Sequence, residues 1–105
     1  YTGNGSTDGT FIFTGFRPAF VLTKRFDSSG NWYLWDNKRI ISANGDAGLL
    51  YADLALGESD YNAAGIDLLS NGFKLRNTDS SDNASSGTYI YMAFAESPFK
   101  YANAR

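Results

Sequence analysis

Three clusters of residues carry the types and spacing that could do chemistry or recognition. Trp32-Tyr33-Leu34-Trp35 sets three large aromatics in four positions, and Asp36, Asn37, Lys38 and Arg39 follow directly. Exposed aromatic faces stack on sugar rings, and polar neighbours can hydrogen-bond hydroxyls. Trp32, Tyr33, Trp35, Asp36 and Asn37 therefore form a candidate glycan platform. The same residues suit a core, because a two-layer sandwich can bury one aromatic centrally and another beneath a loop or subunit contact. Tyr89 and Tyr91 share one face of the last apolar run, with Tyr33 as a candidate neighbour. Such a row can bind glycan or a second subunit, or simply pack across strands. Asp79, Asp82 and Asn83 lie in the polar stretch Thr78 to Gly87, with Asp60 and Asp67 elsewhere. Their oxygens are of the kind calcium takes, but the spacing fits no EF-hand loop, and a solvated loop accounts for it. No metal site is assigned. Glu58 and Glu96 are the only glutamates, and the aspartates are scattered. Two-carboxylate glycoside hydrolysis needs groups roughly 5–10 Å apart in a cleft, and no pair is suggested here. Neither a catalytic residue nor a cofactor is expected.

Counting removes other chemistries. The 105 residues contain no His and no Cys, which excludes disulfides, zinc fingers, thiol nucleophiles and Ser-His-Asp triads. Nine Lys and Arg against eleven Asp and Glu give a net charge of −2, without the basic excess of a nucleic-acid binder. No apolar run approaches the roughly 20 residues that span a bilayer, so membrane insertion is not expected. The length suits one domain over residues 1–105. Because the chain opens on Tyr1 rather than Met, it is expected to be a fragment, a processed product or one domain of something longer.

The elements that must position these residues read as short strands. Period-2 alternation marks Thr10 to Thr14, Ala19 to Phe26, Asn31 to Trp35 and Thr88 to Glu96. Leu69-Ser70-Asn71-Gly72-Phe73 reads as a hairpin whose Asn-Gly pair supplies the positive φ of a primed turn. Gly48 to Leu56 is read as a further strand. The spacing predicts an all-β antiparallel sandwich or barrel, with little or no helix. The core is expected from Phe11 or Ile12, Phe20, Leu22, Leu34, Leu69, Phe73, Leu75, Ile90, Met92 and Phe94. Asn4-Gly5-Ser6 and Asn83-Ala84-Ser85 match the glycosylation sequon in expected loops.

Several segments together carry a family resemblance. They are Tyr1-Thr2-Gly3-Asn4-Gly5, Thr14-Gly15-Phe16-Arg17-Pro18-Ala19-Phe20-Val21, Lys24-Arg25, and Trp35-Asp36-Asn37-Lys38-Arg39. Ile66-Asp67, Ser70 through Arg76, Gly87 through Glu96 and Pro98-Phe99-Lys100 complete it. In this order they resemble a C-terminal β-sandwich domain of bacteriophage tail-fibre-like structural proteins, related to concanavalin-like and laminin-G-like sandwiches. The resemblance implies a jelly-roll or concanavalin-like sandwich, a place as the C-terminal part or a processed subunit of a larger fibre protein, a virion or extracellular location and a structural role, and carries over no catalytic or ligand residue.

Two functions follow as expectations: a fibre domain that binds a cell-surface glycan, or an assembly module without ligand that forms a homotrimer or filament by strand exchange. Eight Phe, seven Tyr and two Trp are more aromatics than so short a chain readily hides, and Tyr and Trp are enriched at interfaces. Tyr1, Tyr33, Trp35, Tyr89 and Tyr91 are the expected oligomer contacts. The Gly-rich first ten residues are expected to lie as an arm along a neighbouring subunit.

Overall fold

The computed structural model describes residues 1–38, 49–55 and 65–95. Seven strands form in chain order: β1 (Phe11–Phe13), β2 (Pro18–Arg25), β3 (Tyr33–Asp36), β4 (Leu50–Tyr51), β5 (Ile66–Leu69), β6 (Gly72–Leu75) and β7 (Tyr89–Ala95). No helix occurs among the described residues. The strands make two antiparallel sheets, ordered β1-β6-β5 and β4-β3-β2-β7. Ile12, Phe73, Leu75 and Ile66 from the first meet Val21, Tyr33, Trp35 and Leu49 from the second in one core. The expected all-β sandwich is therefore the fold.

Strand positions agree with the sequence reading, and Pro18 opens β2, where its missing N–H costs least. Gly48 to Leu56 was expected as one strand. Leu49 and β4 supply its strand part, a turn follows at Ala52, and Gly48 and Leu56 lie outside the described residues. The β5–β6 hairpin forms with Leu69 opposite Gly72, so Ser70 and Asn71 make the turn. Positive φ occurs among the described residues only at Gly5, Gly15 and Ser86, so the expected primed Asn-Gly turn is corrected. Gly72 instead permits a close approach between strands, since a Cβ there would strike the Ile12 carbonyl oxygen on β1.

The larger correction concerns which face points inward. In the four-stranded sheet the buried residues are Pro18, Val21 and Thr23 on β2, Tyr33 and Trp35 on β3, and Tyr89 on β7. The expected core residues Ile90, Met92 and Phe94 are 49%, 53% and 54% exposed, while Phe20, Leu22 and Leu34 are only half-buried. Phe11 is also exposed, Leu69 is half-buried, and Ile12, Phe73 and Leu75 are buried as expected. The inner face pairs large residues with small ones. Trp35 lies opposite Val21, which in turn lies opposite Ala93, and Tyr33 lies opposite Thr23. A bulge between Pro18 and Phe20 lets both Pro18 and Val21 point inward. Gly65 completes the fit, because a Cβ there would enter the Trp35 ring.

Candidate interaction face and the polar node behind it

Residues 78–87 were expected as a solvated loop. With Asn77 they instead wrap a buried polar node, which corrects that expectation. Thr23, Asn77, Asp82 and Asn83 are buried polar residues at its centre. The Asp82 carboxylate accepts from the Asn77 amide at 2.9 Å, from the Tyr1 hydroxyl at 3.0 Å and from the Thr23 hydroxyl at 3.1 Å. Burial pushes this carboxyl up to about 6, against those donors, which favour the charged form. Burial beside Asp82 likewise raises the Tyr1 hydroxyl far above the usual tyrosine range. Asn83 donates its amide to the Asn77 and Ser6 carbonyls at 2.7 and 2.9 Å and to Asn4 Oδ1 at 3.2 Å. Asn83 is thus not accessible as a glycosylation acceptor in the folded domain, whereas Asn4 is exposed.

The node explains the path of the N-terminal segment. Tyr1 exchanges two main-chain hydrogen bonds with Tyr89, at 2.9 Å each, and stacks on its ring at 4.9 Å between centroids. Gly3 donates to the Gly87 carbonyl, Gly5 to that of Asn83 and Gly9 to that of Leu75. The main-chain partners expected from a neighbouring subunit are supplied within the chain, so the arm belongs to its own sandwich.

The five residues of the candidate glycan platform are not brought to one surface. Tyr33 and Trp35 point into the core, and their rings pack edge-on at 6.1 Å. Trp32 is half-buried on the opposite side, the Asp36 carboxylate accepts from the Lys38 main-chain N–H at 2.8 Å, and the Asn37 main-chain N–H donates to the Ala19 carbonyl. Of the expected oligomer contacts, Tyr33, Trp35 and Tyr89 are buried, and Tyr1 is tied to the node. Only Tyr91 is exposed, at 40%, although its ring also meets Phe73 at 5.3 Å. Asp60, Glu58 and Glu96 lie outside the described residues.

What the sandwich does present is the outer face of β4-β3-β2-β7. Phe20, Leu22, Leu34, Leu50, Ile90, Met92 and Phe94 alternate onto it, opposite the buried residues. Phe20 and Phe94 pack edge-on at 5.7 Å at one end. At the other end Leu22, Trp32, Ile90, Tyr91 and Met92 line an apolar cavity of about 110 Å³. Lys24 pairs with Ile90 beside the cavity, and Asp36 pairs with Phe20 beside the aromatic pair. The outer face of the three-stranded sheet differs. Phe11 and Phe13 are exposed there, but Lys74–Asp8 and Arg76–Asp67 ion pairs, both 2.7 Å, run across it. Sequence reasoning missed the apolar face because it placed those residues inside. The available signal was β7, which is apolar on both of its faces.

Fold and site together define an antiparallel β-sandwich with one apolar outer sheet face. The chain belongs to the DUF7483 family, a domain of unknown function, whose match covers residues 1–98. No curated protein and no solved structure matches it.

Proposed function

We propose that the domain is a non-catalytic assembly module whose outer four-stranded sheet face packs against a second copy of the chain. The virion or fibre setting implied by the sequence resemblance belongs to the same proposal. The observation that carries it is the exposure of Ile90, Met92 and Phe94 at 49%, 53% and 54% on one strand, continuous with Phe20 and Leu22. Contiguous apolar patches on the surface of soluble domains mark interaction sites. Glycan binding has less support, because two of its three aromatic candidates are in the core.

The face measures about 330 Å² in projection, from its 21 strand residues at ~3.3 Å each on strands ~4.8 Å apart. That lies below the ~800 Å² per partner of a standard stable interface, so association should be concentration-dependent rather than obligate. Sedimentation velocity from low micromolar to near-millimolar protein tests this. The mass should rise with concentration for the wild type and stay monomeric for Phe94→Asp. A wild type that remains monomeric throughout defeats the proposal.

A further inference from the structure

Resting on the assembly reading, we infer that the face pairs with its own copy about a two-fold axis perpendicular to the strands, placing the Phe20–Phe94 ring pair of one copy over the Trp32–Ile90 cavity of the other. Complementary features lie at opposite ends of one face. The ring pair lies beside Asp36, and the cavity lies beside Lys24. Phe20 and Lys24 lie four residues apart on β2, or about 13 Å along the strand.

An axis lying in the interface and passing near the Leu22–Met92 pair reverses strand direction between copies. It carries the ring pair of each protomer over the cavity of its partner. The contact is self-complementary, as an isologous interface requires. The cavity volume of about 110 Å³ approaches the ~150 Å³ that accommodates benzene, so the edge of a phenyl ring can enter. The same operation brings Lys24 of each copy towards Asp36 of the other, opposite in sign. An axis parallel to the strands would instead keep like ends together, placing cavity over cavity and Lys24 near Lys24. Charges at such a rim select orientation more than they add affinity.

The absence of cysteine makes the arrangement directly testable by single-cysteine variants of the full chain. Under mild oxidation at high protein concentration, Phe94→Cys mixed with Ile90→Cys should give disulfide-linked dimer several-fold in excess of either variant alone. Met92→Cys, near the axis, should link to itself. Each variant is first checked for native near-ultraviolet circular dichroism. Lys24→Glu supplies a second readout, weakening wild-type self-association several-fold at low salt, with Lys24→Glu and Asp36→Lys together restoring it. Phe94→Cys linking chiefly to itself while the wild type still self-associates overturns the two-fold arrangement and leaves the assembly reading standing. A wild type that is monomeric at every concentration removes both.

Discussion

The Tyr1 hydroxyl lies 2.8 Å from the Asp82 carbonyl oxygen and 3.0 Å from its carboxylate, joining residues 81 positions apart inside the sandwich. The contact anchors the start of the chain to the buried node that also receives Thr23 and Asn77. Tyr1→Phe keeps the ring stacked on Tyr89 but removes a donor to a buried carboxylate. Chemical denaturation should report a loss of about 1.5–3 kcal/mol, the range for a hydrogen bond to a charged group. An unchanged midpoint would detach Tyr1 from the node.

Asp82 makes stability depend on pH in an unusual direction. Its carboxyl titrates at about 6 in the folded protein and near 3.8 when exposed, so between those values the native state holds more proton. Stability from this group therefore rises as pH falls from above 6 towards 4, by about 3 kcal/mol at ~1.4 kcal/mol per pH unit of displacement. Asp8 and Asp27 act oppositely, because hydrogen bonds from Lys74 and Arg25 lower their carboxyls. The discriminating measurement is the difference between the wild type and Asp82→Asn in thermal midpoint at pH 7 and pH 5. The wild type should gain relative to the variant on acidification; parallel profiles would count against the buried carboxylate.

Gly65→Ala tests the seat of Trp35. The added methyl would enter the indole, so overpacking should cost about 1–3 kcal/mol in urea unfolding and perturb the tryptophan fluorescence. A neutral substitution would show that Trp35 has room to move.

Phe73 and Phe94 separate the two faces. Phe73 is fully buried, and its truncation to Ala should cost about 3–5 kcal/mol. Phe94 is 54% exposed, and Phe94→Ala should cost about 1 kcal/mol or less in dilute monomer. Equal costs would reverse the face assignment.

That assignment is also where sequence reasoning reached its end. The strands were legible because β-branched and aromatic residues alternate between Gly, Asn and Ser punctuation, and the hairpin before Phe73 was placed correctly. Alternation alone cannot say which set is buried when both are apolar. Tyr89-Ile90-Tyr91-Met92-Ala93-Phe94-Ala95 offers Ile, Met and Phe on one side, yet the tyrosine side turns inward. Tyr1 and Tyr89 can do so because Asp82 and Ser80 accept their hydroxyls within the node. The node was equally hidden. Asp, Asn and Ser have the same composition whether a loop is solvated or folded around its own hydrogen bonds, and Asp82 meets Tyr1 and Thr23 only through the tertiary fold.

The outer face of β4-β3-β2-β7 is proposed above as a self-association surface. A dilution series of amide chemical shifts on the isotope-labelled chain tests it most directly. Self-association through this face predicts concentration-dependent shifts clustered at Phe20, Leu22, Lys24, Trp32, Ile90, Met92 and Phe94, with β1, β5 and β6 unmoved. Shifts confined to the three-stranded sheet, or none up to near-millimolar protein, would contradict it.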